Sequence, residues 1–497
     1  MMRRAVTAAF LVALGLIWPH GPAAAETAAS GVRLAQLVPV PVPRPLPGPA
    51  PDLSLLSEAG VSGEVGWLAV DLDTGEEIAS HLADRVFAPA SVAKLPTAAF
   101  ALDRLGADYR FETTLAVTGS VQGGLLDGDL ILSGGGDPEL DTDSLLALVL
   151  RAKDAGFSRL AGRFFVDAGA ITRTDAIDPE QPVDAAYNPG VSALNLNFNR
   201  ARIKWTRQGV RVSAKAIRLD PEIATIRVAR AAAPNAPLFL HQNTGLQENW
   251  QMSQEAMRRP GERWLPVKQP ALYAGEVFRG LAATYGMTLG APAPGAADGA
   301  RVLARQESRP LSMIIRDMLK FSTNLTAESV GLAASKGDSL AASANAMNAW
   351  VAETLGLGRS DPGFRLVNHS GLTTKSRVSP QRMTDLLRVL AARPGQSHPR
   401  LPGPLAGFLK PHNVAADSVP LDYDTLDVVA KTGTMDYIRG LAGYVATPGG
   451  RRFAFAIFSN DLARRAGGVR QVNRGWLGRA RGLERRLIRN WVLRADG

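Results

Sequence analysis

The sequence predicts an α+β protein. Three observations carry that expectation. Apolar residues alternate on either side of Asp73-Thr74-Gly75 in GEVGWLAVDLDTGEEIASH, the pattern of a β-hairpin. Helical periodicity dominates from about residue 301. Near the end, LDVVAKTGTMDYIRGLAGYVATPGGRRFAFAIFSN reads as two or three strands joined by the Pro-Gly-Gly turn at 448–450.

In chain order, Arg3 and Arg4 precede an apolar run over 5–18, and Ala23-Ala24-Ala25 follows. A positive start, a short apolar stretch and small residues predict an export signal over 1–25, cleaved near Ala25. Residues 26–51 then read as a linker. Proline recurs at every second position from Pro39 to Pro51, which prevents ladder hydrogen bonds and favours extended, semi-rigid chain. A proline-recognition ligand is the sharper reading of the same run.

The hairpin follows, and then a helix over FAPASVAKLPTAAF that ends near Gly106. Residues 111–290 mix strands, helices and Gly/Pro turns with no recurring period, and APAPGAADGA at 291–300 marks a boundary by composition. The chain closes on a helix over 474–494. Its Trp476, Ala480, Leu483, Leu487 and Trp491 recur at helical spacing, while Arg479, Arg485, Arg486 and Arg489 lie largely off that stripe. This is a helix packed on the sheet with a solvated basic face. The sharper reading is peripheral contact of that face with an anionic envelope surface.

The 497 residues carry a formal charge of +10. The signal and the tail account for it, because from Arg464 to the end ten arginines meet only Glu484 and Asp496. A neutral body with a basic tail lacks the broad basic face of a nucleic-acid binder. There is no cysteine, so thiol catalysis and cysteine-rich zinc sites are excluded. The six histidines show no metal-ligand spacing, and no cofactor is expected.

Ser91 and Lys94 stand three residues apart at a helix start. There, unpaired N–H groups and the helix dipole favour developing negative charge, and a buried lysine loses its proton readily enough to act as a base. Pro96 predicts a tight first turn. KFSTNLTAESVG supplies Ser322 and Asn324, a hydroxyl and a carboxamide two residues apart. VVAKTGTMDY places Lys431, Thr432, Gly433 and Thr434 on a strand whose glycine admits a close backbone approach. Each motif is weak alone; the ordered set S-x-x-K, S-x-N and K-T-G is strong.

With these motifs the chain resembles the penicillin-binding proteins, serine DD-peptidases related to class A β-lactamases, and within them the carboxypeptidase/endopeptidases of peptidase family S13. GGGDPEL, YNPGVSALNLNFN, VKQPALYAGEVFRGL, NHSGLT and LAGYV also resemble family stretches, so the match spans roughly 55–460. The resemblance implies a transpeptidase-like domain, an antiparallel sheet flanked by helices, over 52–110 and 301–497. A large β-rich insertion over 111–300 separates the first two motifs. It implies peptidoglycan stem peptides as substrates and β-lactams as inhibitors. It makes Ser91 the nucleophile, Lys94 its base, Ser322 a proton relay and Asn324 the group that orients Lys94 and the substrate amide. Lys431 supplies positive field, Thr432 and Thr434 bind the terminal carboxylate, and Ser91 and Thr434 N–H groups form the oxyanion hole.

Asp184, in VDAAYNPG, resembles the family's inserted-domain aspartate that binds the amine of a diaminopimelate side chain; its plain reading is a turn aspartate. Where the family carries an arginine after SGL, this chain has Thr374, leaving Lys375 or Arg377 to substitute. Ser343 and Asn345 form a second S-x-N without the KFSTN context, and His369 and Ser370 read as structural. A β-lactamase and a catalytically idle cell-wall binding module are the competing readings. The first lacks a family-like glutamate loop, and intact motifs argue against the second.

Overall fold

The computed structural model describes residues 53–496 apart from 232–238, 245–246, 359–360, 396, 415–425 and 467–472. The predicted signal at 1–25 and the predicted linker at 26–51 lie outside the described residues.

The hairpin expected around Asp73 forms, with strand Glu64–Asp71 antiparallel to Glu77–His81. Its first strand also pairs along its full length with Arg452–Asn460, from Glu64 opposite Asn460 to Asp71 opposite Phe453. Both ends of the body therefore meet in one sheet. That sheet has six antiparallel strands, in the order Lys410–Pro411, Asp427–Met435, Ile438–Ala446, Arg452–Asn460, Glu64–Asp71 and Glu77–His81.

Helices cover both faces, so the inner strands read as continuous apolar runs rather than alternating ones. On one face Phe100, Ile314, Met318, Leu386 and Leu390 pack with Ala442, Tyr444 and Phe458. These side chains come from helices Lys94–Leu105, Leu311–Phe321 and Pro380–Ala391. On the other face helix Arg474–Asp496 lays Leu483, Leu487 and Trp491 against Leu441, Phe455 and Ile457. Every residue of the predicted stripe, Trp476 to Trp491, is buried, each large apolar side chain contributing about 1.5–3 kcal/mol. Arg479 and Arg485 stay exposed, while Arg486 and Arg489 are half-buried. Glu484 breaks the pattern, being a buried acid on this basic helix.

Residues 112–307 build a second body of structure with its own apolar core, which includes Leu115, Leu132, Phe164, Trp250 and Phe278. Its five-stranded sheet runs Pro292–Pro294, Phe164–Asp167, Leu130–Gly134, Glu112–Val117 and Arg301–Glu307. Three three-stranded sheets accompany it. The Gly/Pro-rich stretch at 291–300 is more than a connector. Pro292–Pro294 forms an edge strand, where a missing N–H is tolerated, and Arg301–Glu307 returns antiparallel to Glu112–Val117. The chain leaves this sheet only after Glu307. Among the described residues no helix is long and apolar enough to cross a membrane.

Candidate active site

Ser91 stands in the second position of a 3-10 turn, Ala90–Ala93, that runs into helix Lys94–Leu105 and ends at Gly106 with φ 85°. The tight first turn is therefore present. Pro96 lies within the first α-turn, where its missing N–H leaves no bond unmade. Ala90 has φ 47°, a strained conformation for a residue with a side chain. Two glycines clasp the turn. A Cβ on Gly433 would stand 2.5 Å from the Pro89 carbonyl and 3.0 Å from Ser91 N. One on Gly371, whose φ is 73°, would stand 1.9 Å from the Ala90 carbonyl. Any side chain at either position pushes the serine turn off its seat.

Lys94 lies fully buried beneath Ser91. Its Nζ donates to Ser91 Oγ at 3.0 Å, to Asn324 Oδ1 at 2.7 Å and to the Ser370 carbonyl at 2.8 Å. Burial holds its pKa well below the ordinary lysine value, and the Lys431 charge adds to this while Glu328 opposes it. An amine so depressed, in contact with a hydroxyl, is equipped to take that hydroxyl's proton.

Ser322 caps helix Leu311–Phe321 in the left-handed region, with φ 60°, and helix Asn324–Ser335 begins two residues later. That kink turns the serine and asparagine towards different lysines. Asn324 meets Lys94, whereas Ser322 Oγ accepts from Lys431 Nζ at 3.0 Å. Lys431 also donates to the Thr432 carbonyl at 2.7 Å. Burial, aided by the Arg439 charge, brings Lys431 down to about 7. Thr432 is half-buried and Thr434 exposed on the same strand. Thr434 Oγ1 accepts from Arg439 Nη1 at 2.9 Å.

Asp184 lies in a loop of the β-rich body, its carboxylate paired with Arg263 at 2.6 Å. The two line an open cleft of about 500 Å³ with Tyr187 and Trp264. The Tyr187 carbonyl accepts from Asn324 Nδ2 at 3.0 Å, so this cleft adjoins the motif residues. Of the possible substitutes for the family arginine, Lys375 pairs with Glu180 at 2.8 Å, and Arg377 turns onto the carbonyls of Thr374 and Ser376. Ser343 of the second S-x-N is buried and bonded to His369 Nε2 at 2.6 Å and Ser335 Oγ at 2.7 Å, inside a structural network. His369, pushed down to about 3 by burial, packs its ring over Gly331. Among the described residues no group of three His, Asp or Glu is arranged to hold a metal ion.

The sequence profile of the D-Ala-D-Ala carboxypeptidase 3 (S13) family matches residues 54–474. The chain belongs to this family. This S13 chain is 30% identical over 447 residues to the D-alanyl-D-alanine carboxypeptidase of Actinomadura sp. (strain R39), spanning 82% of this chain and 80% of that one. It is 23% identical to D-alanyl-D-alanine carboxypeptidase DacB of Haemophilus influenzae, over 80% of this chain and 86% of the relative. The crystal structure of penicillin binding protein 4 (dacB) from Haemophilus influenzae superposes with TM-score 0.69 at 21% identity, covering 89% of this chain and 99% of that one. The same neighbour has been solved in complex with a β-lactam. The S13 chain thus has the α+β fold of a penicillin-binding serine hydrolase.

Sequence reasoning missed three participants. Glu328 is buried between the second motif and the SGL loop, accepting from His369 N at 3.0 Å and Ser370 N at 2.8 Å. It thereby holds the Ser370 carbonyl against Lys94. An acid within the apolar run of NLTAESVGLAAS was the available signal. Arg439 and the Tyr187 carbonyl had none, since each acts through a contact that exists only once the chain has folded.

Proposed function

We propose that this chain is an exported serine D-Ala-D-Ala carboxypeptidase, with DD-endopeptidase action, that trims and cleaves peptidoglycan stem peptides. One observation carries the reading: a buried lysine, held far below its ordinary pKa, sits 3.0 Å from the hydroxyl of Ser91. Ser91 Oγ attacks the carbonyl of the penultimate D-alanine, and Lys94 Nζ takes its proton. N–H groups of Ser91 and Thr434 receive the oxyanion, a donor of this kind being worth about 2.7–4 kcal/mol. The C–N bond then breaks as the leaving amine gains a proton through Ser322, supplied from the lysine side of the site. Water hydrolyses the ester, with Lys94 again the base, and Ser91 recovers its proton. Asn324 keeps Lys94 and the substrate amide aligned. Lys431, Thr432 and Thr434 hold the terminal carboxylate, and Gly433 lets the substrate backbone approach.

β-Lactams, which the Haemophilus influenzae neighbour binds, would acylate the same serine and stay. The cleft at Asp184 is the natural seat for a stem-peptide side chain, and the Arg263 partner gives it both signs of charge. We assign the body that carries the three motifs to catalysis and the β-rich body to substrate selection. The signal at 1–25 would direct export, and the basic face of the last helix would add peripheral attraction to the envelope.

The test is acylation by labelled penicillin, with mass spectrometry of monomeric and crosslinked muropeptides. Ser91→Ala should lose both labelling and D-alanine release. Labelling that survives the substitution overturns the assignment.

A further inference from the structure

The last helix carries one buried carboxylate, and it points at the strand of the third motif. Glu484 accepts from Arg439 Nε and Nη2, each at 2.8 Å, a two-pronged pair with both side chains almost wholly buried. Arg439 stands directly opposite Thr434 in the strand register, and its remaining nitrogen, Nη1, donates to Thr434 Oγ1 at 2.9 Å. A guanidinium presents its donors in a rigid planar fork, so fixing two nitrogens on Glu484 fixes the direction of the third.

We propose that Glu484 is a positioning residue for recognition of the substrate's terminal carboxylate, acting through Arg439 on the hydroxyl of Thr434. A threonine hydroxyl has one proton to donate and lone pairs to accept with. Once a lone pair is committed to Arg439, the O–H is turned away from the guanidinium and towards the exposed side of Thr434, where a carboxylate would arrive. The anchoring is firm, because Trp476, Leu483, Leu487 and Trp491 of the same helix are buried. The inference rests on the reading of Thr434 as a carboxylate-binding group.

The experiment compares two D-alanyl thioesters, one whose thiol leaving group ends in a carboxylate and one whose leaving group ends in a carboxamide, by thiol release. The wild-type chain should favour the carboxylate in kcat/KM. Glu484→Gln should cut that carboxylate-to-carboxamide ratio at least about tenfold, mostly in KM, and Glu484→Asp should restore part of it. An unchanged ratio in Glu484→Gln overturns the proposal. If Glu484→Gln does not fold, the double variant Arg439→Met/Glu484→Leu removes both buried charges together, a replacement that cores of this kind tolerate. Loss of the preference there supports the proposal, and its retention overturns it. A wild-type chain that turns over neither thioester and takes no label at Ser91 defeats the peptidase reading itself, and this inference with it.

Discussion

Asn324 Nδ2 donates to the carbonyl of Tyr187 at 3.0 Å, so the β-rich body reaches directly into the cluster of sequence motifs. The same carboxamide accepts from Lys94 through Oδ1 at 2.7 Å. Asn324→Asp would set an anion against the Tyr187 carbonyl and beside Lys94, raising the lysine's hold on its proton. Acylation by benzylpenicillin at neutral pH should fall about 10²-fold or more, the usual worth of a general base. Stopped-flow measurement showing less than a few-fold loss would contradict the proposed role.

Lys431 titrates at about 7, below the ordinary lysine value near 10.4, because it is buried beside Arg439. It is charged below that pH and neutral above it. Turnover of a carboxylate-terminated substrate should therefore fall as pH rises through about 7. The limb should vanish in Lys431→Arg, whatever activity that variant keeps. The stability effect has the opposite direction. Between about pH 7 and 10 the unfolded chain binds a proton that the folded chain does not, so this group makes folding more favourable as pH rises. Lys431→Met should raise Tm most at pH 6–7 and progressively less towards pH 10. A Tm difference independent of pH would count against the buried, depressed lysine.

Gly433 touches the serine turn through the space a Cβ would occupy, 2.5 Å from the Pro89 carbonyl. Both neighbours are backbone and cannot swing aside. Gly433→Ala should cost about 1–3 kcal/mol of stability, as overpacking does. It should also displace Ser91, slowing penicillin acylation about 10²-fold, since small misplacements at a reacting centre cost that much. Chemical denaturation and acylation kinetics on one preparation check both effects.

Asp184 pairs with Arg263 in a partly exposed cleft. Losing such a pair should change stability by no more than about 1 kcal/mol. Asp184→Asn should instead lower kcat/KM for a stem peptide bearing a side-chain amine far more than it slows acylation by benzylpenicillin. Equal effects on the two would mean the aspartate only shapes its loop.

The local chemistry was legible in the sequence because each motif is a matter of spacing along one element. Ser91 and Lys94 share a helix start, Ser322 and Asn324 bracket a helix boundary, and Gly433 interrupts an apolar strand. The stripe from Trp476 to Trp491 likewise announced the buried side of the last helix. Sequence spacing says nothing, however, about which groups meet across the fold or how dry they are when they do. The depression of Lys94 depends on its burial and on Lys431. The Ser370 carbonyl reaches Lys94 only because Glu328 holds its loop. Glu484 reads as one acid among many arginines until the helix packs on the sheet and delivers it to Arg439. The sequence by itself therefore determined the candidate residues and the α+β class. Tertiary structure decided their protonation and aim, because both depend on excluded water and on contacts between residues hundreds of positions apart.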